Sequence, residues 1–307
     1  MVRFPLFIPI ALTPLLALAA NPLFPGADPH AVVINGHAWI YPTRSEGGKN
    51  FLAFESTDLK TWKKQGPVLD FKDVPWLKAD KRRGLGPWAP CLAIKGSRYY
   101  FYYSVGPQSP GNPSRIGVAV GNSASGPFKD SGKPLLTGGD GFEAIDPMVL
   151  EDPASRKFYF YAGGSAGAKL RVFELNDDMV GLRKEIEVAT PPKFTEGAFM
   201  HFRDGFYHLT YSHGGWKDAT YSVHHATSKS AVGPWQYRGE ILKSDQKHKG
   251  PGHHSIIQFP AGGDWWIVYH RWNNRRGDGP YSGGRETCID RMSHNPDGSI
   301  APVVMTD

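Results

Sequence analysis

The amino-acid sequence predicts an all-β fold, a single five-bladed β-propeller, and three observations support this prediction. Aromatic residues make up 13% of the 307-residue chain, as expected for short strands that pack through Phe, Tyr and Trp. The 36 glycines and 26 prolines favour many turns over long helices. A sequence unit also recurs roughly every 50 to 60 residues, a spacing typical of propeller blades.

Each unit has a short opening stretch with a carboxylate, Trp or His, then an apolar strand, a turn and an aromatic strand. In the first unit, the apolar strand 31–34 is followed by the hairpin turn Asn35-Gly36 and the aromatic strand 39–41. The five openings are Ala27-Asp28-Pro29-His30, Trp88-Ala89-Pro90, Ile145-Asp146-Pro147, Thr195-Glu196-Gly197-Ala198-Phe199 and Gly252-His253-His254-Ser255.

Three units also share an aromatic turn before the predicted outer strand, at residues 58–62, 125–128 and 232–235. Radially packed sheets bury both faces and protect their edges, which a single meander cannot do. A β-sandwich is the alternative fold, but sandwich strands usually lack such a long super-period.

Residues 1–20 are predicted to be a secretory signal peptide, which leaves residues 21–307 as the propeller domain. Arg3 precedes an apolar run from Phe4 to Ala20, and small residues end this run as at a cleavage site. The run is short for a membrane span and contains three prolines, which disrupt transmembrane helices. We therefore expect a secreted or periplasmic protein that is not anchored in a membrane.

The formal charge of +6 raises the question of nucleic-acid binding. The basic residues are dispersed, and only Lys78 to Arg83 forms a cluster, without a recognisable binding fold. The sequence thus predicts no nucleic-acid partner, whereas mild attraction to acidic polysaccharide stays open.

Cys91 and Cys288 are the only cysteines, so the chain is not a disulfide-stapled scaffold. One bridge between them and two buried thiols are both compatible with the sequence. No C-x-x-C pattern is present, and no phosphate-binding glycine motif opens a helix, so no organic cofactor is predicted.

The unit openings carry the residues for which we predict a chemical role. Asp28, Asp146 and Glu196 stand among small, apolar or proline residues, where an ionisable side chain is expected to be partnered or functional. Three carboxyl groups that meet at one cavity repel each other, so their pKa values must separate. Glycoside hydrolysis needs this separation, because one carboxyl group donates a proton while another, ionised, activates water.

Aromatic residues near the openings or in loops between strands are candidates for stacking on a sugar ring. About half of them are expected to be core residues instead. The candidates are Trp88, Trp216, Trp272 and Tyr281.

Taken together, the ordered openings resemble glycoside hydrolase family 43, whose members are five-bladed propeller enzymes. The likeness covers essentially the whole mature chain, and the stretch 284–292 followed by 297–300 resembles the last blade of that family. Cys91 departs from the pattern, because relatives often have an acidic or small residue after Trp-Ala-Pro.

This resemblance implies an inverting mechanism with Asp28 as general base and Glu196 as general acid, while Asp146 tunes and orients the acid. The carboxyl groups of Asp28 and Glu196 should then lie roughly 6.5 to 9.5 Å apart, which leaves room for the attacking water. The expected substrate contacts are Trp88, Arg285, His254 and Trp216.

His253 is the candidate metal ligand. Adjacent histidines on a strand point to opposite sides, and no third ligand stands at a zinc-like spacing, so zinc is disfavoured at His253-His254. Members of the family often hold a calcium ion in the central channel through one histidine and several waters, and His253 matches that histidine. The alternative is that His253 hydrogen-bonds a catalytic carboxylate.

The predicted function is removal of terminal α-L-arabinofuranosyl or β-xylosyl residues from plant-type polysaccharides or oligosaccharides, since a single propeller suffices for terminal sugars. A galactofuranosidase or an endo-arabinanase is the alternative within the family, and the loops Gly106–Ser114 and His213–Thr220 are expected to set the specificity. A non-catalytic carbohydrate-binding propeller is the alternative outside the enzymes. Kelch and tryptophan-aspartate repeats have different signatures.

Overall fold

The computed structural model describes residues 20–44, 46–78, 80 and 84–307, which form five antiparallel sheets. The first strands of neighbouring sheets contact one another in a closed ring, from the first sheet round to the fifth and back. This ring is the predicted five-bladed propeller. Residues 1–19 of the predicted signal peptide, and four of the six residues 78–83, lie outside the described residues.

The strands follow the predicted units, and the first strand of each blade is the one nearest the axis. A short strand, β1 (Phe24–Pro25), precedes blade 1. Blade 1 contains β2 (Ala27–Ile34), β3 (His37–Thr43), β4 (Asn50–Ser56) and β5 (Lys63–Asp70). Blade 2 contains β6 (Gly86–Lys95), β7 (Arg98–Gly106), β8 (Arg115–Gly121), β9 (Lys129–Asp130) and β10 (Leu136–Thr137). Blade 3 contains β11 (Met148–Glu151), β12 (Phe158–Ala162), β13 (Arg171–Leu175) and β14 (Leu182–Ile186). Blade 4 contains β15 (Glu196–Arg203), β16 (Phe206–His213), β17 (Ser222–Ser228) and β18 (Gln236–Leu242). Blade 5 contains β19 (Lys249–Phe259), β20 (Asp264–Trp272) and β21 (Glu286–Met292).

Helix is nearly absent from the described residues. A 3₁₀ turn at Phe71–Asp73 and one α-helical turn, α1 (Pro75–Lys78), both follow blade 1. In this part of the chain, no helix has the length and apolar character that a bilayer span requires.

The two ends of the domain close the ring together. Strand β1 pairs with β21, with Phe24 opposite Thr287, and so supplies the fourth strand of blade 5. The Asn21 side chain donates to the Ile289 main-chain carbonyl at 2.9 Å. The first residues after the predicted cleavage site are therefore part of the last blade.

Buried tyrosines join successive blades. Each lies on the second strand of its blade and donates its hydroxyl to a main-chain carbonyl in the turn before the outer strand of the next blade, which satisfies a polar group that would be costly to bury alone. The pairs are Tyr41 with Ala124 (2.7 Å), Tyr102 with Met179 (2.7 Å) and Tyr161 with Ala231 (2.6 Å). Two of these carbonyls, those of Ala124 and Ala231, directly precede the turns 125–128 and 232–235 found in the sequence.

Cys91 on β6 and Cys288 on β21 are both buried, free thiols. Burial raises the pKa of each to about 12, so both stay protonated and unreactive at neutral pH. The structure therefore contains two buried thiols and no disulfide bridge between Cys91 and Cys288.

Candidate active site

Each unit opening contains a residue with positive φ at or just before the inner strand. In four blades the strand register shifts at this point, which is a β-bulge, a device that re-aims side chains next to active sites. The residues are Asp28 (φ 47°), Ala89 (36°), Asp146 (57°), Gly197 (64°) and His253 (35°).

Side chains from the second strand of the preceding blade hold four of these backbone turns. Each accepts a hydrogen bond from the main-chain N–H of the residue with positive φ, and this bond offsets part of the roughly 1–3 kcal/mol that such a conformation costs a non-glycine residue. The acceptors are Thr43 for Ala89 (2.6 Å), Ser104 for Asp146 (3.0 Å), Ser212 for His253 (2.8 Å) and His270 for Asp28 (3.0 Å). The blade-to-blade packing thus fixes the direction of the openings.

The openings converge on a cavity of about 300 Å³ at one end of the propeller axis, a volume at the lower end of ordinary ligand pockets. The cavity brings together the three predicted carboxylates and four of the five predicted contact and metal residues. These are Asp28, Asp146 and Glu196, with Trp88, Trp216, His253 and Arg285.

One wall of the cavity surrounds Asp28 with nitrogen atoms. Arg285 Nη1 donates to Asp28 Oδ1 at 3.0 Å, and His253 Nδ1 and His270 Nδ1 lie 3.4 and 3.3 Å from the same oxygen. Burial alone would raise the pKa of Asp28, but the Arg285 guanidinium and the two histidines outweigh it and hold the pKa well below its usual value. Asp28 is therefore ionised at neutral pH. We call this the nitrogen wall.

Another part of the cavity lining is made of carboxyl groups, those of Asp146, Glu196 and Glu143. Burial, followed by the charges of Glu196, Asp28 and Glu143, raises the pKa of Asp146 well above its usual value. Asp146 Oδ2 accepts the Gly197 main-chain N–H at 3.0 Å, which ties Asp146 to the residue after Glu196. Because neighbouring carboxyl groups do not all ionise together, this carboxyl wall retains a proton.

Hydroxyl groups position Glu196 itself. Tyr221 donates to Glu196 Oε1 at 2.7 Å, and Ser165 donates to Oε2. Tyr221 is fully buried, and burial together with the Glu196 charge raises its pKa far above neutral, so its hydroxyl keeps its proton. The carboxyl group of Glu196 is thus held at both oxygens while it faces the cavity.

The predicted aromatic residues divide into two pairs. Trp216 is 38% exposed, lines the cavity and lies under the Arg285 guanidinium, whose Cζ is 4.7 Å from the ring centroid. Trp272 stacks behind Trp216 at 6.1 Å, and Tyr281 packs on Trp272. Trp272 and Tyr281 are buried and support the cavity wall without lining it.

Trp88 lies flat against two glycines of its own blade. A Cβ built on Gly106 would come within 2.0 Å of the Trp88 ring, and one on Gly86 within 2.8 Å. Only glycine at these two positions leaves room for the indole, so the sequence fixes the orientation of Trp88 towards the cavity.

The structure does not bring His254 to the cavity. Its side chain is 3% exposed, its Nε2 lies 2.7 Å from Thr210 Oγ1, and its ring packs near Phe199. Because strand neighbours point to opposite sides, the bulge that turns His253 into the cavity turns His254 into the blade. The prediction that His254 contacts the substrate is therefore wrong, because His254 packs inside the propeller against Thr210 and Phe199.

The donor atoms around His253 do not form a calcium cage. Calcium prefers six to eight oxygen ligands, and His253 offers a nitrogen. Among the described residues, the one group of three close His, Cys, Asp or Glu ligand atoms lies elsewhere. A calcium ion at His253 would therefore take most of its ligands from water. His253 Nδ1 lies 3.4 Å from Asp28 Oδ1 and 3.5 Å from Asp146 Oδ2. These contacts agree with the alternative prediction, in which His253 interacts with a carboxylate of the site.

Four residues at the site were not predicted from the sequence: Glu143, Ser165, Tyr221 and His270. Glu143 lines the cavity, accepts the Ala166 N–H at 3.1 Å, and has a pKa raised by burial and by the Glu196 charge. It stands between Phe142 and Ala144, so the signal that identified Asp146, an ionisable residue among apolar ones, would have identified it too. Ser165, Tyr221 and His270 carry no such signal.

Comparison with known proteins extends these observations. The sequence profile described as Glycosyl hydrolases family 43 matches residues 19–300. The chain is 36% identical to the β-D-galactofuranosidase xynD of Aspergillus niger over 308 residues, which cover 94% of this chain and 86% of that protein.

Two solved structures are similar over nearly their full length. One is an α-L-arabinofuranosidase from Clostridium thermocellum, with 31% identity and a TM-score of 0.71, covering 91% of this chain and 94% of that one. The other is a β-xylosidase/α-arabinofuranosidase from a compost microbial metagenome, in complex with xylotriose and in a calcium-free form. It has 28% identity and a TM-score of 0.72, covering 92% and 97% of the two chains.

Proposed function

Because this chain belongs to glycoside hydrolase family 43, we propose that it cleaves its glycosidic bond by inversion, with Asp28 as general base and Glu196 as general acid. The observation that carries the proposal is the contrast between the two walls. Asp28 lies among nitrogen atoms and has a lowered pKa, whereas Asp146 has a raised pKa and lines the cavity together with Glu196 and Glu143. An inverting glycosidase needs this pairing, with a water molecule between the two groups.

In this mechanism Asp28 takes a proton from water as the water oxygen attacks the anomeric carbon. Glu196 gives its proton to the departing glycosidic oxygen on the opposite face of the sugar. Asp146 acts through the Gly197 N–H and as a neighbouring carboxyl group that shares a proton with Glu196, since adjacent carboxyl groups do not both ionise readily. Arg285 holds Asp28 in its ionised form, and its stacking with Trp216 keeps the guanidinium in place.

The substrate class that we favour is a terminal α-L-arabinofuranosyl or β-xylosyl residue. The small cavity supports action at chain ends, because an extended polymer would need a longer groove. Trp88 and Trp216 supply flat faces against which a sugar ring can stack.

A terminal β-D-galactofuranosyl residue is the second candidate, because the Aspergillus niger relative of that activity shares 36% of its residues over most of this chain. This sugar resembles α-L-arabinofuranose around the ring and carries one additional hydroxymethyl carbon with its hydroxyl. Glu143 and Ser165 also line the cavity and supply polar groups for this additional hydroxyl.

A panel of aryl glycosides tests the proposal and separates the candidates. The wild-type protein is assayed on 4-nitrophenyl α-L-arabinofuranoside, β-D-xyloside and β-D-galactofuranoside, with Asp28→Asn as the matched inactive control, because these activated leaving groups depart with little help from a general acid. We expect turnover on one of the first two to exceed the galactofuranoside by at least about 10-fold, the discrimination that a few pocket contacts provide. A preference for the galactofuranoside would select the second candidate. Failure of the protein on the whole panel and on the corresponding oligosaccharides would contradict the proposal.

We also propose that the protein is exported and that residues 1–20 are removed. The charged start, the apolar run and the small residues before Asn21 support this. Sequencing the N-terminus of the protein recovered from the medium or periplasm of its host should give Asn21 first. A mature protein that still begins at Met1 would contradict it.

A further inference from the structure

A group of histidines lies in blade 4, far from the cavity. His201 is on β15, His208 on β16 and His225 on β17, and His294 follows β21 of blade 5. His201 is five residues beyond Glu196 along β15, so it lies roughly 17 Å from the catalytic end of that strand. The catalytic proposal does not use these residues.

Three of these histidines have the geometry of a metal site. One ring nitrogen from each of His201, His208 and His294 lies within 4.8 Å of the other two. The Nε2 atoms of His201 and His294 are 3.1 Å apart. Two nitrogens bound to one zinc ion at about 2.0–2.1 Å in tetrahedral geometry lie about 3.3 Å apart, so this pair already has nearly the required spacing.

The protein groups alone leave these rings incompletely hydrogen-bonded. The Nδ1 atoms of His201, His225 and His294 are buried and have no hydrogen-bond partner, and His201 is only 7% exposed. These Nδ1 atoms are distinct from the Nε2 atoms of His201 and His294 that lie 3.1 Å apart. A proton on Nδ1 of a neutral imidazole leaves Nε2 with the lone pair that binds a metal.

The surroundings fit a bound dication. The nearby guanidinium groups are each neutralised, because Arg203 pairs with Asp204 at 2.8 Å and Arg238 pairs with Asp297 at 2.9 Å. The Trp265 ring packs 5.2 Å from the rings of both His201 and His294 and limits their rotation.

His208 has a hydrogen-bonded histidine behind it. Its Nδ1 lies 3.0 Å from His225 Nε2, the kind of outer contact that orients a metal-bound imidazole. The main chain of Arg203 also contacts the His208 ring, so a metal ion would compete with that contact. His294 is half-buried on the turn after β21 and gives an entry path from solvent.

We propose that His201, His208 and His294 bind a divalent transition-metal ion of the zinc class. The ion would connect the turn after β21 to blade 4, next to the blade in which the chain ends close the ring. Its role is structural, because it lies at the far end of β15 from the catalytic residues.

Zinc titration of tag-free, chelator-treated protein tests this site. We expect calorimetry to give one zinc ion per chain and the Tm to rise by about 2–5 °C at saturating zinc. Cobalt in place of zinc should give the visible absorption of a tetrahedral site. His294→Gln should weaken binding at least 10-fold and abolish the Tm shift, while turnover of the best aryl glycoside stays unchanged.

His248→Gln is the matched control, because His248 is a buried histidine outside this group of three and contacts Asp245 and Asp307. This variant should bind zinc like the wild type. The proposal is overturned if the wild type takes up no stoichiometric zinc, or if His248→Gln loses binding while His294→Gln retains it. Should His294→Gln fail to fold, His208→Gln with the cobalt spectrum gives the same decision.

Discussion

Asp28 and Asp146 occupy equivalent places in the fold but differ in their protonation. Both have positive φ at the opening of an inner strand, both donate their main-chain N–H to a side chain of the preceding blade, and both are at most 8% exposed. Asp28 faces Arg285 and two histidines, which lower its pKa, whereas burial and the neighbouring carboxyl groups raise the pKa of Asp146. The surroundings of a carboxyl group, and not its backbone geometry, thus decide whether it ionises readily or favours keeping its proton.

Removing the catalytic group from each wall should give the largest effects and should distinguish the walls chemically. We expect Asp28→Asn to lower kcat about 10³-fold for all leaving groups, because the attacking water loses its base. Glu196→Gln should lower kcat about as much for natural linkages but less than 10-fold for a 2,4-dinitrophenyl leaving group, which departs without protonation. The measurement is kcat across a series of aryl leaving groups. Equal sensitivity of both variants to the leaving group would contradict the assignment.

Asp146→Asn tests the carboxyl wall through stability as well as activity. Activity should fall about 100-fold, because Glu196 loses the carboxyl group with which it shares a proton beside the glycosidic oxygen. A buried carboxyl group with a raised pKa stabilises the fold below its unfolded pKa and loses that contribution as pH rises through its folded pKa. The variant should therefore have a higher Tm than the wild type at pH 7, and the difference should shrink towards pH 4.

Asp177→Asn is the control for this effect, because the Asp177 side chain is 90% exposed. Its Tm should follow the wild type at both pH values. A lower Tm for Asp146→Asn at pH 7 would show that the ionised form of Asp146 stabilises the fold.

Arg285→Met tests the nitrogen wall. Without the guanidinium, burial of Asp28 prevails, so the acidic limb of the kcat/KM profile should move up by at least one pH unit, and kcat/KM at pH 7 should fall about 10- to 100-fold. In the wild type ionised Asp28 stabilises the fold down to about pH 4, because this contribution is lost only as pH falls through the lowered folded pKa. In the variant burial raises the folded pKa instead, and a raised pKa costs stability as pH rises, so the variant should lose more stability at pH 7 than at pH 4. Arg291→Met, an exposed residue of β21 paired with Asp264, should leave the acidic limb in place.

Gly106→Ala should give the smallest effect, on the aromatic part of the cavity. The added methyl group would overlap the Trp88 ring and displace it, so KM should rise about 3- to 10-fold with kcat nearly unchanged, because stacking acts on substrate binding. Gly66→Ala, where nothing lies within 4 Å of the new atom, is the matched control. An unchanged KM in Gly106→Ala would show that Trp88 does not contact the sugar.

The sequence was sufficient to predict the blades and the three acidic residues because both depend on local patterns. The repeated openings identify the inner strands, and an isolated carboxylate among apolar residues identifies Asp28, Asp146 and Glu196. Glu143 is also a carboxylate among apolar residues, but it lies outside the five unit openings and was therefore not predicted.

Contacts between residues that are distant in sequence could not be predicted in this way. Tyr221 meets Glu196 across blade 4, and His270 meets Asp28 because blades 5 and 1 pack side by side. Neither residue stands in an unusual sequence context. His254 shows the opposite error, since it belongs to an opening but the bulge at His253 turns it into the blade. Residue type and spacing give the strand, whereas the bulge geometry decides which side chain reaches the cavity.

The anomeric configuration of the first product tests the pairing of the two walls most directly. Proton NMR spectra recorded during early hydrolysis of the best aryl furanoside or xyloside detect the new anomer before it equilibrates in solution. If water activated by Asp28 attacks opposite the bond protonated by Glu196, the first product has the inverted configuration. A first product with the retained configuration would require a carboxylate to attack the sugar itself, and would contradict the role of Asp28 as a base.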